Sequence, residues 1–142
     1  MKNVHDIFQR KGRQNITVTP DARVVDALKL MAEKNIGSIV VLSGDQFKGL
    51  FTERDYARKV ILEGKSSTEL MVSEIMSDKL PEISLEHRLE ECMEIMTSQN
   101  VRYLPVFEKG QFIGIISIID VVRETILAQK ETIDQLHNYL HS

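Results

Sequence analysis

Two short motifs with the same order of glycine, hydroxyl and carboxylate stand 65 residues apart in the chain. Both read Gly-apolar-apolar-hydroxyl-x-x-Asp, and their defining residues are Gly49, Thr52 and Asp55 in the first copy and Gly114, Ser117 and Asp120 in the second. Each motif closes an apolar run and opens a helical pattern. The hydroxyl and the carboxylate fall where a strand is predicted to end and a helix to begin.

The motif has a structural and a chemical interpretation. A hydroxyl followed three residues later by a carboxylate is a capping box, which satisfies the first backbone N–H groups of a helix. The same helix start favours a phosphate, and the hydroxyl can donate to a phosphate oxygen. A carboxylate one turn later can accept the hydroxyls of a ribose. The spacing therefore also suits a nucleoside monophosphate, and the two interpretations are physically compatible.

The motifs belong to a longer internal repeat. When residues 16–62 are placed over residues 81–127 without a gap, eleven of the 47 pairs are identical. Residues 4–8 also resemble residues 72–76, with three extra residues around Gly12 in the first copy. The chain is a tandem duplication, and we predict a first repeat at residues 1–65, a second at 66–130 and a C-terminal helical extension at 131–142.

Each repeat is predicted to have the element order β-α-β-β-α, which gives an α/β (α+β) fold of two repeats packed as a pseudo-two-fold pair. Extended segments are expected at residues 16–19 and 82–84, and hairpins at 39–51 and 104–116. Residues 64–68 read as a polar linker. Thr19, followed by Pro20, and Ser84 are predicted to cap the first helix of each repeat. Asn35 and Asn100 are predicted to end those helices in the left-handed conformation.

The last helix is predicted to continue from Asp120 to the end of the chain. Its apolar residues follow alternating steps of three and four, with Gln129 as one polar interruption: Ile119, Val122, Ile126, Ile133, Leu136 and Leu140. This is a heptad stripe. It fits either an amphipathic helix folded over its own domain or, the interpretation we favour, a helix packed against a second subunit.

The bulk composition restricts the classes of function. The net charge of -3 argues against nucleic acid as an obligatory partner. The sequence contains no apolar run of membrane-spanning length and no secretory signal pattern, and its one cysteine, Cys92, fits a reducing compartment. A cytoplasmic protein is therefore expected, with no membrane and no nucleic-acid partner.

The duplicated pattern resembles a tandem pair of cystathionine-β-synthase (CBS) domains, also called a Bateman module. The resemblance covers residues 4–129, and residues 102–106 resemble the family segment before the second hairpin, with Tyr103 where His is often found. Residues 51–60 are similar to a stretch of small stand-alone bacterial CBS-pair proteins. The resemblance implies two clefts between the repeats, adenosine-containing ligands, and dimerisation through the helices into a flat disc.

The resemblance also implies site residues by position. Asp55 and Asp120 would hold ribose, and Thr52 and Ser117 would hold phosphate. The two adenine pockets would be lined by Thr17, Ser38, Ile39 and Val40 and by Ile83, Tyr103, Leu104 and Pro105. The implied ligands are AMP, our first choice, ADP, ATP, NAD(H) or S-adenosylmethionine, and no metal is predicted.

The two copies differ in charge next to the motif. Arg54 and Arg58 follow Thr52 and share a helix face in an α-helix, whereas the second copy offers Arg123. Arginine suits phosphate, so we interpret Arg54 and Arg58 as phosphate ligands. The alternative is a solvated basic helix face paired with Glu53 and Glu63.

The sequence offers weaker candidates for a nucleophile and for metal ligands. Cys92 lies on an apolar helix face and is expected to be an inert, buried thiol rather than a nucleophile. His137 and His141, four residues apart, could share a metal, but a solvated tail is the preferred interpretation. No nucleophile–base–acid pattern is recognisable, so the chain is not expected to be an enzyme.

Three hypotheses therefore follow from the sequence. The first is a dimeric regulatory module that binds an adenine nucleotide and transmits ligand occupancy to an unknown partner protein. The second is a scaffold or dimerisation protein that acts through its C-terminal helix, with the motifs serving only as caps. The third, an enzyme acting on a nucleotide, ranks last.

Overall fold

The computed structural model describes residues 1–141 and divides the chain into two compact units. One unit is Asn15–Leu80, called here the first-half unit. The other combines Met1–Gln14 with the chain from Pro81 onward and is called the second-half unit. Each has its own cluster of buried apolar side chains.

The first-half unit is built on a three-stranded sheet of order β1-β2-β3. Strand β1 is Thr17–Val18, β2 is Ser38–Ser43 and β3 is Gln46–Thr52. Strand β1 pairs parallel to β2, and β2 and β3 form the predicted antiparallel hairpin, with a register shift between Val41 and Leu42. The β-branched and aromatic side chains of the hairpin pack against helix α2, Val24–Lys34. After β3 the chain forms α3, Glu53–Tyr56, and then a π-helical turn, Ala57–Ile61.

The second-half unit repeats this arrangement around a two-stranded sheet. Helix α4 is Leu89–Gln99, and strands β4, Tyr103–Glu108, and β5, Gln111–Ser117, form the second predicted hairpin. The expected extended segment at residues 82–84 contributes one parallel bridge, from Ile83 to Val106, rather than a full strand. Two backbone hydrogen bonds, from Ile83 to Pro105 and from Phe107 to Ile83, hold it beside β4.

The C-terminal ends of α2 and α4 were predicted correctly, whereas the starts of these two helices were not. Asn35 and Asn100 both have φ 54°, in the left-handed conformation. The predicted caps Thr19 and Ser84 are wrong, because α2 and α4 begin after Arg23 and Arg88. Thr19 instead closes a turn, its carbonyl accepting from Ala22 N–H and its hydroxyl donating to Asp21.

The first element of each sequence repeat lies in the unit built by the other repeat. Helix α1, Val4–Lys11, buries Val4, Ile7 and Phe8 in the second-half core. The matching 3₁₀ turn, Val72–Glu74, buries Val72 in the first-half core. The compact units and the sequence repeats are therefore different divisions of the chain, because apolar burial, not repeat order, decides where these short segments pack.

Helix α5, Ile118–His141, is continuous, as predicted from the heptad pattern. Its first half packs on α4 and α1, with Val121 and Glu124 buried. None of the helices in residues 1–141 is long and apolar enough to span a membrane.

Candidate functional site

The first motif forms the junction between β3 and α3. Thr52 is the N-cap residue, and its Oγ1 accepts a hydrogen bond of 3.0 Å from the Asp55 N–H. In return, the Thr52 N–H donates to Asp55 Oδ2 at 3.0 Å. The capping-box interpretation is therefore correct for this copy. Because Oγ1 accepts through a lone pair, its O–H proton is available to donate to another group.

Asp55 is a buried carboxylate held by three groups of its own unit. Ser77 Oγ donates to Asp55 Oδ1 at 2.8 Å, and Lys59 Nζ lies 3.0 Å from the same oxygen. Lys59 also donates to the Ile75 carbonyl at 3.1 Å. Both carboxylate oxygens are thus in use, which compensates for burying the charge.

Gly49 lies where another part of the backbone approaches β3 closely. The approaching group belongs to the chain itself: a Cβ at position 49 would lie 2.7 Å from the Ser77 carbonyl oxygen. Leu50 and Ser77 exchange two backbone hydrogen bonds at this point, of 2.9 and 2.7 Å. This pairing fixes Ser77 beside Asp55.

The strand register places the other predicted residues of the first half around the same edge. Thr17 lies opposite Val40 across the parallel pair, and Ser38 lies opposite Thr52 across the hairpin. Ser38, Ile39 and Val40 are buried, whereas Thr17 is exposed.

The two predicted phosphate ligands of the first half follow the motif directly. Arg54 lies on α3 and is partly buried, and Arg58 is exposed on the π-helical turn. The expectation that Arg54 and Arg58 share a helix face assumed the 3.6-residue period of an α-helix. Arg58 lies instead in a π-helical turn, whose i→i+5 hydrogen bonds give a different period. Glu63, one of the two glutamates expected to pair with this basic face, has its Oε1 3.7 Å from Lys65 Nζ.

The second motif forms the junction between β5 and α5. Ser117 Oγ accepts from the Asp120 N–H at 3.1 Å, and the Ser117 N–H donates to Asp120 Oδ2 at 2.9 Å. Lys11, in the last turn of α1, donates to the same Oδ2 at 2.7 Å and to the Ile115 carbonyl at 2.8 Å. The contacts of Asp120 are thus concentrated on one oxygen, so its other oxygen can accept from a ligand.

The register places the remaining predicted residues of the second half beside Ser117. Tyr103 lies opposite Ser117, Leu104 opposite Ile116 and Pro105 opposite Ile115. Ile83 joins Pro105 through the backbone. Leu104 and Pro105 are buried and Tyr103 is partly exposed. Within each unit, strand pairing therefore brings the predicted strand residues to the end of the hairpin that carries the motif.

Sequence reasoning missed three groups that hold the motif carboxylates. Lys59, four residues after Asp55, carried a local signal, since i,i+4 acid–base pairs share a helix face. Ser77 and Lys11 lie 22 and 109 residues from their carboxylates. For Lys11, the sequence signal was the three-residue insertion next to it, which interrupts the match between the two repeats.

The sequence also offered a thiol, Cys92, and a histidine pair, His137 and His141, as candidate functional groups. Burial, followed by the charge of Glu91, raises the pKa of the Cys92 thiol to about 12, which suppresses the thiolate needed for nucleophilic chemistry. The rings of His137 and His141 lie 4.3 Å apart. Residues 1–141 contain no group of three or more His, Cys, Asp or Glu side chains arranged to hold a metal ion.

Comparison with known proteins agrees with this architecture. The CBS domain family model matches the chain twice, at residues 4–62 and 72–126. The chain therefore belongs to the CBS domain family and carries a pair of CBS domains. Such pairs are generally regulatory modules that bind adenosine-containing ligands.

Several relatives resemble the chain along most of its length. A mitochondrial CBS domain-containing protein of Arabidopsis thaliana, CBSX3, is 35% identical over 96% of this chain and 71% of its own. YhcV of Bacillus subtilis is 31% identical over 76% of each chain. A putative signal-transduction protein with CBS domains from Burkholderia ambifaria superposes with a TM-score of 0.85 at 44% identity, covering 90% of this chain and 96% of that one. No catalytic family is indicated among the named relatives.

Proposed function

We propose that the protein is a regulatory adenine-nucleotide sensor without catalysis of its own. The observation that carries this proposal is the repetition, in both units, of a hydroxyl and a carboxylate at a strand-to-helix junction. Membership of a family of adenosine-binding regulatory modules supports it. AMP is the first candidate ligand, followed by ADP, ATP and NAD(H).

The Asp120 motif is proposed as the principal ribose-binding position. Its Oδ2 is occupied by Ser117 N–H and Lys11, so its Oδ1 can accept a ribose hydroxyl. Lys11 adds a positive charge beside the carboxylate, and this charge favours a nearby phosphate. Ser117 Oγ keeps its own proton for a phosphate oxygen, at the positive end of the 24-residue helix α5.

The Asp55 motif is proposed as the second nucleotide-binding position, with a different ligand preference. Asp55 would have to exchange its contact with Ser77 or Lys59 for a ribose hydroxyl, which costs part of the binding free energy. Arg54 and Arg58 would compensate through charge-assisted hydrogen bonds to phosphate. We therefore expect this position to favour ligands with more phosphate.

Occupancy would be transmitted to a regulated partner protein by a change between two conformations. The size of that change is limited by the difference in ligand affinity between the two states. The protein would act as a homodimer in the cytoplasm, where Cys92 stays reduced. A scaffold role through α5 is the second candidate, favoured by the exposed apolar stripe on that helix.

Thermal unfolding of the full chain with AMP, ADP, ATP, NAD+, NADH and S-adenosylmethionine tests the proposal. A ligand present at about 100 times its dissociation constant should stabilise the fold by roughly 2.7 kcal/mol, a shift of several degrees. Adenine-free ribose 5-phosphate serves as the control for phosphate binding alone. If none of the six compounds raises the unfolding temperature, the sensor proposal fails and the scaffold role becomes the better account.

A further inference from the structure

The first-half motif is closed by a short segment of its own unit, residues 72–80. Within this segment, the Ser77 N–H donates to the Leu50 carbonyl at 2.7 Å, and Ser77 Oγ donates to Asp55 Oδ1 at 2.8 Å. One residue therefore satisfies both a carbonyl of the motif strand and the motif carboxylate.

A lysine side chain makes the same two contacts in the second-half unit. Lys11 Nζ donates to the Ile115 carbonyl at 2.8 Å and to Asp120 Oδ2 at 2.7 Å. Ile115 and Asp120 are the counterparts, 65 residues further on, of the two residues that the first-half segment contacts. Lys11 and Ser77 therefore fill equivalent places, although the sequence repeat does not align them.

The two donors differ in how firmly the fold holds them. Ser77 exchanges two backbone hydrogen bonds with Leu50, of 2.9 and 2.7 Å, so its hydroxyl stays next to the carboxylate unless this pairing breaks. Lys11 reaches its carboxylate through a flexible four-carbon stem, and its side chain is 35% exposed. The ammonium group can therefore move aside for a ligand, whereas the Ser77 backbone cannot.

The two carboxylates also differ in the oxygen that is left for a ligand. The ribose of a nucleotide offers two hydroxyl donors, which two carboxylate oxygens can accept. Both contacts of Asp120 within residues 1–141 are on Oδ2, which leaves Oδ1 as an acceptor. At Asp55, Oδ1 is contacted by both Ser77 and Lys59, and Oδ2 accepts the Thr52 N–H. A ribose hydroxyl at Asp55 Oδ1 must therefore compete with the serine hydroxyl.

We propose that the Ser77 hydroxyl is an internal substitute for a ribose hydroxyl and determines the ligand specificity of the Asp55 motif. This inference rests on the proposed nucleotide-binding function. With Ser77 in place, the Asp55 position recognises a nucleotide without a contribution from the ribose hydroxyls. The Asp120 position depends on them. The two halves of the chain therefore differ in whether they distinguish a ribonucleotide from a nucleotide that lacks both hydroxyls.

Calorimetric titration with two nucleotides tests this difference. The ligands are AMP and 2′,3′-dideoxyadenosine 5′-monophosphate, and the background is Asp120→Ala, which leaves the Asp55 position as the one under study. Ser77→Ala removes the hydroxyl and keeps the backbone pairing, whereas Ser77→Thr keeps a hydroxyl. Ser73→Ala is the matched control, because Ser73 belongs to the same segment and its N–H donates to the Pro20 carbonyl. Circular dichroism checks that each protein is folded.

The proposal predicts that AMP and the dideoxynucleotide bind the Asp120→Ala background equally well. Adding Ser77→Ala should tighten AMP binding about tenfold, the effect of one hydrogen bond to a charged group. It should leave the affinity for the dideoxynucleotide unchanged. Ser77→Thr and Ser73→Ala should behave like the background. Unchanged AMP affinity in Ser77→Ala, or an equal gain for both nucleotides, overturns the proposal, because a merely structural effect would not depend on the ribose hydroxyls.

The same titrations separate this inference from the proposed function. If the unmodified chain binds AMP but Ser77→Ala brings no ribose-dependent gain, the sensor function stands and the role of Ser77 is wrong. If the unmodified chain binds neither nucleotide, both proposals fail. Should Asp120→Ala not fold, Ser77→Ala in the unmodified chain gives the answer. A second, weaker AMP binding event per chain should then tighten about tenfold, and its absence overturns the inference.

Discussion

Lys11 Nζ lies 2.7 Å from Asp120 Oδ2, joining the last turn of α1 to the first turn of α5. The two residues come from opposite ends of the sequence and meet because α1 packs in the second-half core. In the first-half unit, Lys59 makes the corresponding contact with Asp55 at 3.0 Å, from the same stretch of chain as the carboxylate. Each motif carboxylate therefore has a lysine partner, supplied by different segments of the chain.

Lys11→Met should weaken nucleotide binding at the Asp120 motif. The substitution keeps the aliphatic stem but removes the group that fixes Oδ2 and a positive charge near the proposed phosphate. The loss of one charge-assisted hydrogen bond corresponds to roughly 1.5 kcal/mol, or about tenfold in the dissociation constant for AMP. Isothermal titration calorimetry measures it, with exposed Lys29→Met on α2 as the control. Equal affinities for Lys11→Met and the unmodified chain would remove Lys11 from the site.

Arg10→Met should destabilise the fold more than Glu124→Met. Glu124 is almost fully buried and receives hydrogen bonds of 2.8 and 3.3 Å from Arg10, which raise the pKa of the guanidinium. Removing Arg10 leaves a buried carboxylate without its main partner, whereas removing Glu124 leaves an arginine that can reach water. Chemical denaturation of both variants gives the comparison. The opposite order of stability would show that Lys2, 3.8 Å away, suffices for Glu124.

Gly49→Ala should lower the free energy of unfolding by about 1–3 kcal/mol. The added Cβ would press on the Ser77 backbone carbonyl, which cannot move without breaking its pairing with Leu50. Gly44→Asn is the matched control in the same hairpin. Gly44 has φ 63° with open space around it, and asparagine tolerates this conformation. Thermal unfolding should show a clear loss for the first variant and little change for the second. Equal effects would mean that the close approach is unimportant.

Cys92 should be inert in the folded protein. Its pKa of about 12, raised first by burial, leaves almost no thiolate at neutral pH, and its side chain is inaccessible. A disulfide reagent at neutral pH should therefore label less than one thiol per chain until denaturant is added, when labelling becomes complete. Rapid labelling under native conditions would place Cys92 at an exposed site.

Local patterns predicted most of the fold. The hairpins, the left-handed Asn35 and Asn100, and the helix starts at Thr52 and Ser117 follow from signals within a few residues, where backbone hydrogen bonding and side-chain type decide the structure. The wrong caps at Thr19 and Ser84 show the limit of such signals. There the hydroxyls and backbone groups form turns, and each helix begins further along the chain, directly after Arg23 or Arg88.

The parts of the site that could not be predicted depend on tertiary packing. Lys11 is 109 residues from Asp120, and Ser77 reaches Asp55 through a pairing made possible by Gly49. Nothing in the repeat alignment shows that α1 packs with the second half. The residue types of each motif can be read from the sequence. Which lysine contacts a motif carboxylate depends instead on where a few apolar side chains are buried.

The most direct test of the sensor proposal is calorimetric titration of AMP into the full chain and into Asp120→Ala. Asp134→Ala, which removes an exposed carboxylate elsewhere on α5, is the control, and circular dichroism checks that all three proteins are folded. The proposal predicts that Asp120→Ala loses at least about tenfold in affinity, since hydrogen bonds to a charged group contribute roughly 1.5–3 kcal/mol, while Asp134→Ala binds normally. If folded Asp120→Ala binds AMP as tightly as the unmodified chain, Asp120 serves only as a helix cap and the proposed ribose site is wrong.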